Sequence, residues 1–152
     1  MTNEAARRTM FRFLNEIGIV AQLSGNAFER TMPDGMTLPQ FVVLNHLIRL
    51  GGGKTPLDLA RAMQVTKGAM TNTLGHLERA GHISVTPDPN DGRSKRVDIT
   101  AGGRAIHADA VRAIGPELEH LLSVLPLDRI EAALPLLEDL RRILDERRSA
   151  PA

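Results

Sequence analysis

The sequence contains no cysteine, no tryptophan and no tyrosine, and it has only four phenylalanines among 152 residues. Without cysteine there is no disulfide framework, no thiolate metal ligand and no thiol redox switch. The shortage of aromatic rings removes the stacking platforms that usually bind single-stranded nucleic acid. If the partner is a nucleic acid, duplex DNA is therefore the better candidate.

The sequence also lacks an apolar run long enough to cross a bilayer. Its first residues, MTNEAARRTM, lack the apolar stretch and cleavage site of a signal peptide, so we expect a cytoplasmic protein. With 42% hydrophobic and 24% charged residues, the composition is that of an ordinary globular protein. A chain of this length predicts one domain with a real core.

The net charge of +1 is unevenly distributed along the chain. Residues 54–104 carry eight Lys/Arg against five Asp/Glu, whereas residues 105–152 carry six against nine. The middle of the chain is thus the basic part, which is what a nucleic-acid-binding surface requires.

Hydrophobic spacing predicts two helices in the first third of the chain. Apolar residues recur at intervals of three and four from Glu4 to Met32, which indicates a long amphipathic helix ended by Pro33-Asp34-Gly35. Thr37 is expected to cap the next helix, which the glycines at 51–53 end. Its expected apolar stripe consists of Phe41, Val42, Leu44, Leu47 and Leu50.

The central segment predicts two short helices followed by a hairpin. Thr55 and Pro56 indicate the start of a third helix, and a turn at 64–66 leads into a fourth from about Lys67 to Ala80. Two short helices joined by a tight turn are typical of a helix-turn-helix. Alternating residues at 82–86 and 96–100, separated by a polar turn, predict two strands.

Helices should also occupy the last third of the chain. Thr100 is expected to cap a fifth helix, and Gly115-Pro116 should break the pattern. A further segment ends at Pro126, and a final helix over 127–148 must tolerate or bend at Pro135.

This order of elements resembles the MarR family of bacterial regulators along nearly the whole chain. LDLA at 57–60 with VTKGAMT at 65–71 is similar to the family's helix-turn-helix, and LERAGHI at 77–83 to its exit into the wing. DPNDGRS at 88–94 followed by VDITAGG at 97–103 is the more specific match, because generic helix-turn-helix proteins do not share it. The wing departs from the family pattern at Gly92, where a cation often stands.

The resemblance implies a mainly α fold with a small β-hairpin, namely a winged helix-turn-helix with N- and C-terminal dimerisation helices. We expect one domain over 1–152, with dimerisation helices at 1–36 and 104–152 and a winged lobe at 37–103. The implied function is that of a homodimeric, ligand-responsive repressor that binds specific double-stranded DNA and is not an enzyme. The alternative is a winged-helix protein-interaction module without specific DNA binding.

The expected DNA-binding residues lie on the fourth helix and the wing. If Met70, Leu74 and Leu77 face the core, the opposite polar face of that helix enters the major groove, where Asn72 pairs best with adenine. The wing cations should follow the phosphate backbone. The full expected set is Thr66, Lys67, Gly68, Thr71, Asn72, His76, Arg93, Ser94, Lys95 and Arg96.

By resemblance, a small aromatic or anionic effector should bind in a crease between the dimer helices and the DNA-binding lobe. The residues expected to line it are Phe13, Ile17, Phe41, Asn45 and Arg112, although each apolar one also fits a plain core role. The five histidines are scattered over different elements rather than spaced as metal ligands. We therefore expect no metal site, no cofactor and no catalytic residue.

Overall fold

The structure, a computed structural model, describes residues 3–149. Within that range it is mainly helical, with one antiparallel hairpin, which confirms the predicted fold class. The elements in chain order are α1 (Asn3–Thr31), a 3-10 turn (Pro33–Gly35), α2 (Leu38–Leu50), α3 (Pro56–Met63), α4 (Lys67–Arg79), β1 (Ile83–Pro87), β2 (Lys95–Ile99), α5 (Ala101–Ala113), α6 (Gly115–Val124) and α7 (Leu127–Ser149).

Threonine caps fix the starts of the four helices of the central lobe. In each case the hydroxyl accepts a hydrogen bond from the backbone N–H three residues later, which satisfies a donor that the helix itself cannot. Such a cap contributes about 1 kcal/mol. The capping residues are those expected from the sequence: Thr37, Thr55, Thr66 and Thr100.

Each strand of the hairpin is shifted by one residue from its predicted position: β1 lies one residue later, and β2 lies one residue earlier. Val85 lies opposite Val97, and the ladder runs from the pair Ile83–Ile99 to the pair Pro87–Lys95. His82 is not part of β1 because its N–H donates to the carbonyl of Leu77, where α4 ends. Thr100 is not part of β2 because it caps α5.

A third backbone segment extends this hairpin. The N–H of Gly53 donates to the carbonyl of Val97 at 3.0 Å, and the N–H of Val97 donates to the carbonyl of Lys54 at 2.8 Å. The loop between α2 and α3 therefore pairs with β2, so the root of the hairpin is attached to the helical part of the lobe.

The core of the lobe forms where α2, α3 and α4 meet the hairpin. Its largest fully buried side chains are Val43, Leu44, Leu47, Leu59, Leu77 and Val97. The predicted stripe on α2 was wrong at two positions, because Val42 and Leu50 are 38% and 56% exposed. Val43 is buried in place of Val42, which lies about 100° away around the helix, and Leu50 is the last residue of α2.

The chain divides into two compact units, one ending at Ile114 and the other beginning at Gly115. The break that Gly115-Pro116 predicted is thus present, and Pro135 is tolerated inside α7. Within residues 3–149, no helix is both long and apolar enough to cross a membrane.

Large apolar side chains remain exposed on the terminal helices. α1 has no buried residue, and its exposed apolar residues include Phe11 at 73% and Leu23 at 65%. In the second unit, α6 buries none of its described residues, and its leucines at 118, 121 and 122 are about half exposed. Exposed apolar surface of this extent marks an interaction surface.

Gly103 sets the close contact between α5 and the start of β1. A Cβ atom at this position would overlap the carbonyl oxygen of His82 and press on Ile99. Gly103→Ala should therefore lower the free energy of unfolding by about 3 kcal/mol, as measured by urea denaturation. Gly92→Ala is the control: Gly92 is exposed in the hairpin turn and nothing lies within 4 Å of its added methyl, so stability should change little. Equal effects of the two substitutions would contradict the close contact.

Candidate DNA interface

α4 presents a polar face to solvent because its apolar face is fixed in the core. Met70, Leu74 and Leu77 are only 2%, 6% and 1% exposed. With about 100° of rotation per residue, Asn72 lies opposite them and is exposed. The other α4 residues expected at DNA are exposed as well, together with the capping residue: Thr66, Lys67, Gly68, Thr71 and His76.

The two threonines of this set have defined hydrogen-bonding roles within the helix. The hydroxyl of Thr66 accepts from the N–H of Ala69 at 3.1 Å, which closes the first turn. The hydroxyl of Thr71 donates to the carbonyl of Lys67 at 2.9 Å, so its oxygen remains available as an acceptor. Lys67 is the first residue of α4 and is exposed beside this cap.

The tip of the hairpin is ordered by its own aspartates. Asp88 accepts from the N–H of Asn90 at 2.8 Å, and Asp91 accepts from the N–H of Arg93 at 3.0 Å. The N–H of Ser94 donates to the carbonyl of Asp91, and Ser94 is half-buried in this turn. The backbone of Arg93 is therefore held in place, while its side chain is exposed.

Lys95 and Arg96 belong to β2 rather than to the tip. Because neighbouring residues of a strand point to opposite faces, these two exposed cations lie on different sides of the hairpin. The guanidinium of Arg96 lies beside Gly53, with Nη2 3.0 Å from the position a Cβ atom would take. The structure thus separates three cations that the sequence pattern had placed in one group.

The root of the wing contains a contact that sequence reasoning missed. Oδ1 of Asp98 accepts a hydrogen bond of 2.7 Å from the N–H of Gly53. Gly53 has φ +73°, and a Cβ on Gly52 would overlap the Asp98 carboxylate. The glycines at 51–53 therefore do more than end α2: a run of three glycines also signals a close approach of backbone to another element.

Two of the five residues predicted for the effector crease meet in one cluster. The ring of Phe41 stacks on His107 with centroids 4.9 Å apart, and Phe28 meets Phe41 edge-on at 4.6 Å. Nε2 of His107 donates to Oδ1 of Asn45 at 3.0 Å. Burial lowers the pKa of His107, which favours the neutral ring. Sequence reasoning missed His107 and Phe28.

The other three predicted crease residues lie elsewhere. Arg112 forms an exposed ion pair with Asp109 on its own helix. Ile17 and Phe13 precede Phe28 by three to four turns of α1, about 16 and 22 Å along the helix axis. The structure of the single chain therefore does not bring them to the Phe41 cluster.

Among the described residues of the first unit, the walls of two cavities contain none of the predicted crease residues. One of about 510 Å³ lies between the turn after α1 and the end of α4, and His76 and His82 contribute to its wall. The other, of about 440 Å³, is mainly apolar and includes Val42, Met63 and Asn72. Among residues 3–149, no group of three or more His, Asp or Glu side chains is placed to hold a metal ion.

The sequence matches the MarR family over residues 34–94. It is 34% identical over 105 residues to the transcriptional activatory protein BadR of Rhodopseudomonas palustris, which covers 68% of this chain and 58% of that protein. It is 35% identical over 95 residues to the multiple antibiotic resistance protein MarR of Escherichia coli, which covers 62% of this chain and 65% of that protein. The chain thus spans less than two thirds of the length of either relative.

Solved structures match over a larger share of the chain. A crystal structure of a MarR variant from E. coli has a TM-score of 0.71 at 30% identity and covers 83% of this chain and 93% of that one. The same variant complexed with operator DNA has a TM-score of 0.71 at 29% identity, covering 87% and 95%. BpsR of Bordetella bronchiseptica, whose DNA binding is regulated by 6-hydroxynicotinic acid, has a TM-score of 0.69 at 25% identity, covering 86% and 98%.

The free energy of unfolding should depend on pH through the protonation of two partly buried histidines, His46 and His107. Burial lowers the pKa of His107 below 6.5, and burial with the nearby charges of Lys54 and Arg49 lowers that of His46. In the unfolded chain both rings take up protons at higher pH than in the folded one, so the free energy of unfolding should fall as pH drops below about 6.5. Urea midpoints between pH 7.5 and 5 measure this fall. His107→Gln should make the fall shallower, and an unchanged slope would contradict the assignment.

Proposed function

Because this chain belongs to the MarR family, we propose that it is a transcriptional regulator that binds specific duplex DNA as a homodimer. The observation that carries the proposal is the exposed polar face of α4, opposite a buried apolar face and next to a hairpin that carries three exposed cations, Arg93, Lys95 and Arg96. A protein-interaction module would not need this combination. The structure of the E. coli MarR variant complexed with operator DNA supports duplex DNA as the partner.

In this proposal α4 contacts the base edges of the DNA, and the wing contacts its phosphate backbone. Asn72 presents an amide that can pair with an adenine edge, and Thr71 offers an acceptor beside it. Gly68 lets the backbone approach the duplex, since nothing occupies the space around it. The phosphate contacts come from Lys67 at the start of α4 and from the wing residues Arg93, Ser94, Lys95 and Arg96.

The homodimer forms through residues 1–36 and 104–152 in this proposal. The exposed apolar residues of α1 and α6 need a partner surface, and a second copy supplies a complementary one by two-fold symmetry. Such a dimer places two copies of α4 in successive major grooves, roughly 34–36 Å apart. The operator should then be approximately two-fold symmetric.

We further propose that the protein is a repressor released by a small aromatic or anionic effector. The stacked pair Phe41 and His107, with Asn45 beside it, supplies an aromatic surface and a hydrogen-bonding group for such a molecule. In the single chain Phe13, Ile17 and Arg112 lie away from this pair, so their part in an effector site stays a prediction. The regulation of BpsR by 6-hydroxynicotinic acid supports an effector of this class.

The oligomeric state tests the dimer directly. Sedimentation equilibrium at micromolar concentration should give twice the chain mass of 16.6 kDa. Separation of the subunits would expose the apolar surface of α1 to water, so dissociation should be accompanied by loss of helix content. A folded, stable monomer at that concentration would contradict the proposed dimer.

Because α4 and the wing have different proposed contacts, substitutions in them should change DNA affinity in two different ways. Asn72→Ala should cost roughly 1–3 kcal/mol on a duplex selected from the source genome and much less on unrelated duplex, because base contacts specify sequence. Lys95→Ala should weaken both duplexes by similar factors. It should also lower the slope of log affinity against log salt by about one for each phosphate that Lys95 no longer neutralises.

Fluorescence anisotropy at several salt concentrations measures both effects. Because each substituted residue is exposed, thermal melts should show little change in stability, which serves as the control. The assignment is wrong if Asn72→Ala weakens every duplex equally while Lys95→Ala alters sequence preference. A wild-type protein that binds no duplex would favour the interaction-module alternative.

A further inference from the structure

The outer face of α4 carries one more cationic residue than the proposed contact set includes. Positions 68, 72, 75 and 79 follow one another at spacings of four, three and four, so they fall within about 60° of each other around the helix. Arg79 is therefore on the same stripe as Asn72, two turns further along, and it is exposed. Its partners within α4 decide where the charge lies.

The guanidinium of Arg79 is folded back along the helix towards its N-terminus. Nη2 of Arg79 donates to Nδ1 of His76 at 3.3 Å. Nη1 lies 3.2 Å from the position that a Cβ atom on Gly75 would occupy. The charged group thus lies over Gly75, one turn closer to Asn72 than the backbone of Arg79 itself.

Gly75 is the residue that leaves room for this arrangement. Glycine weakens a helix relative to alanine, and Gly75 stands in the middle of α4 rather than at an end. A methyl group there would press first on the arginine head, because the three nearest atoms outside the helix backbone all belong to the Arg79 guanidinium. The glycine therefore has a steric consequence for Arg79 and little for the core.

We propose that Arg79 is a further base-reading residue, which recognises a guanine in the major groove, and that Gly75 and His76 position its guanidinium. The inference rests on the proposed function, in which the outer face of α4 enters the groove. A guanidinium presents several N–H donors in a planar fork, and guanine offers O6 and N7 as paired acceptors on its major-groove edge. The bond to His76 uses one donor and leaves others for the base.

The first experiment compares Arg79→Ala with wild type on three kinds of duplex. These are the duplex that the wild-type protein selects from a random library, single-base-pair variants of it, and an unrelated duplex. Affinity for the selected duplex should fall about tenfold or more, with a much smaller change on the unrelated one. At one G·C pair, the discrimination shown by the wild type should disappear in the variant. Arg49→Ala removes an exposed cation at the end of α2 and controls for total charge.

The second experiment uses Gly75→Ala, whose two effects should have opposite directions. The substitution should raise Tm by about 2–4 °C, because alanine favours the helix. It should also weaken binding to the selected duplex several-fold, because the added methyl would stand 3.2 Å from Nη1 of Arg79 and shift the guanidinium from its position over Gly75. In an Arg79→Ala background, Gly75→Ala should cause no further decrease in affinity. A purely structural role for Gly75 would not produce higher stability together with weaker, Arg79-dependent binding.

Specific results would overturn the inference. Equal decreases in affinity on all duplexes for Arg79→Ala, or the same decrease for Arg49→Ala, would reduce Arg79 to a general cation. Unchanged binding by Gly75→Ala, or a decrease that persists without Arg79, would remove the positioning role of Gly75. Failure of the proposed function itself is distinguishable, because the wild-type protein would then select no duplex from the library.

Discussion

The burial of one side of α4 is the constraint on which the candidate interface depends. Met70, Leu74 and Leu77 are held in the core formed with α2 and α3, and this fixes the rotation of the helix about its axis. Once that rotation is fixed, Asn72 must face solvent. The proposed reading surface is therefore a consequence of packing.

The wing depends on the same core through Val97, which is fully buried in the middle of β2. The backbone of Val97 is bonded to β1 on one side and to the Gly53–Lys54 segment on the other. The hairpin is thus attached to the helical part of the lobe at its root, while its tip is ordered by local turns, two of which are closed by aspartate side chains. The spacing between wing and α4 is set at this root.

Local chemistry made much of the fold predictable. Some signals act within a few residues of the chain: the threonine caps, the glycine after α4 and the Gly115-Pro116 break. Each helix boundary that these signals predict is observed within about one residue. Tertiary contacts were not predictable in the same way. Asp98 and Gly53 are 45 residues apart, and His107 and Asn45 are 62 apart, so nothing in the local pattern pairs them. Val42 and Val43 have the same side chain, so only the packing of α2 decides which of them is buried.

The contact between Asp98 and the loop glycines has a consequence for how this sequence can vary. A side chain at position 52 would need the space that the Asp98 carboxylate fills, while a shorter residue at position 98 would leave the N–H of Gly53 without its side-chain acceptor. Substitutions at the two positions are therefore epistatic. A larger residue at 52 becomes tolerable only after position 98 has become small, so among descendants of this sequence a change at 98 should precede any enlargement at 52.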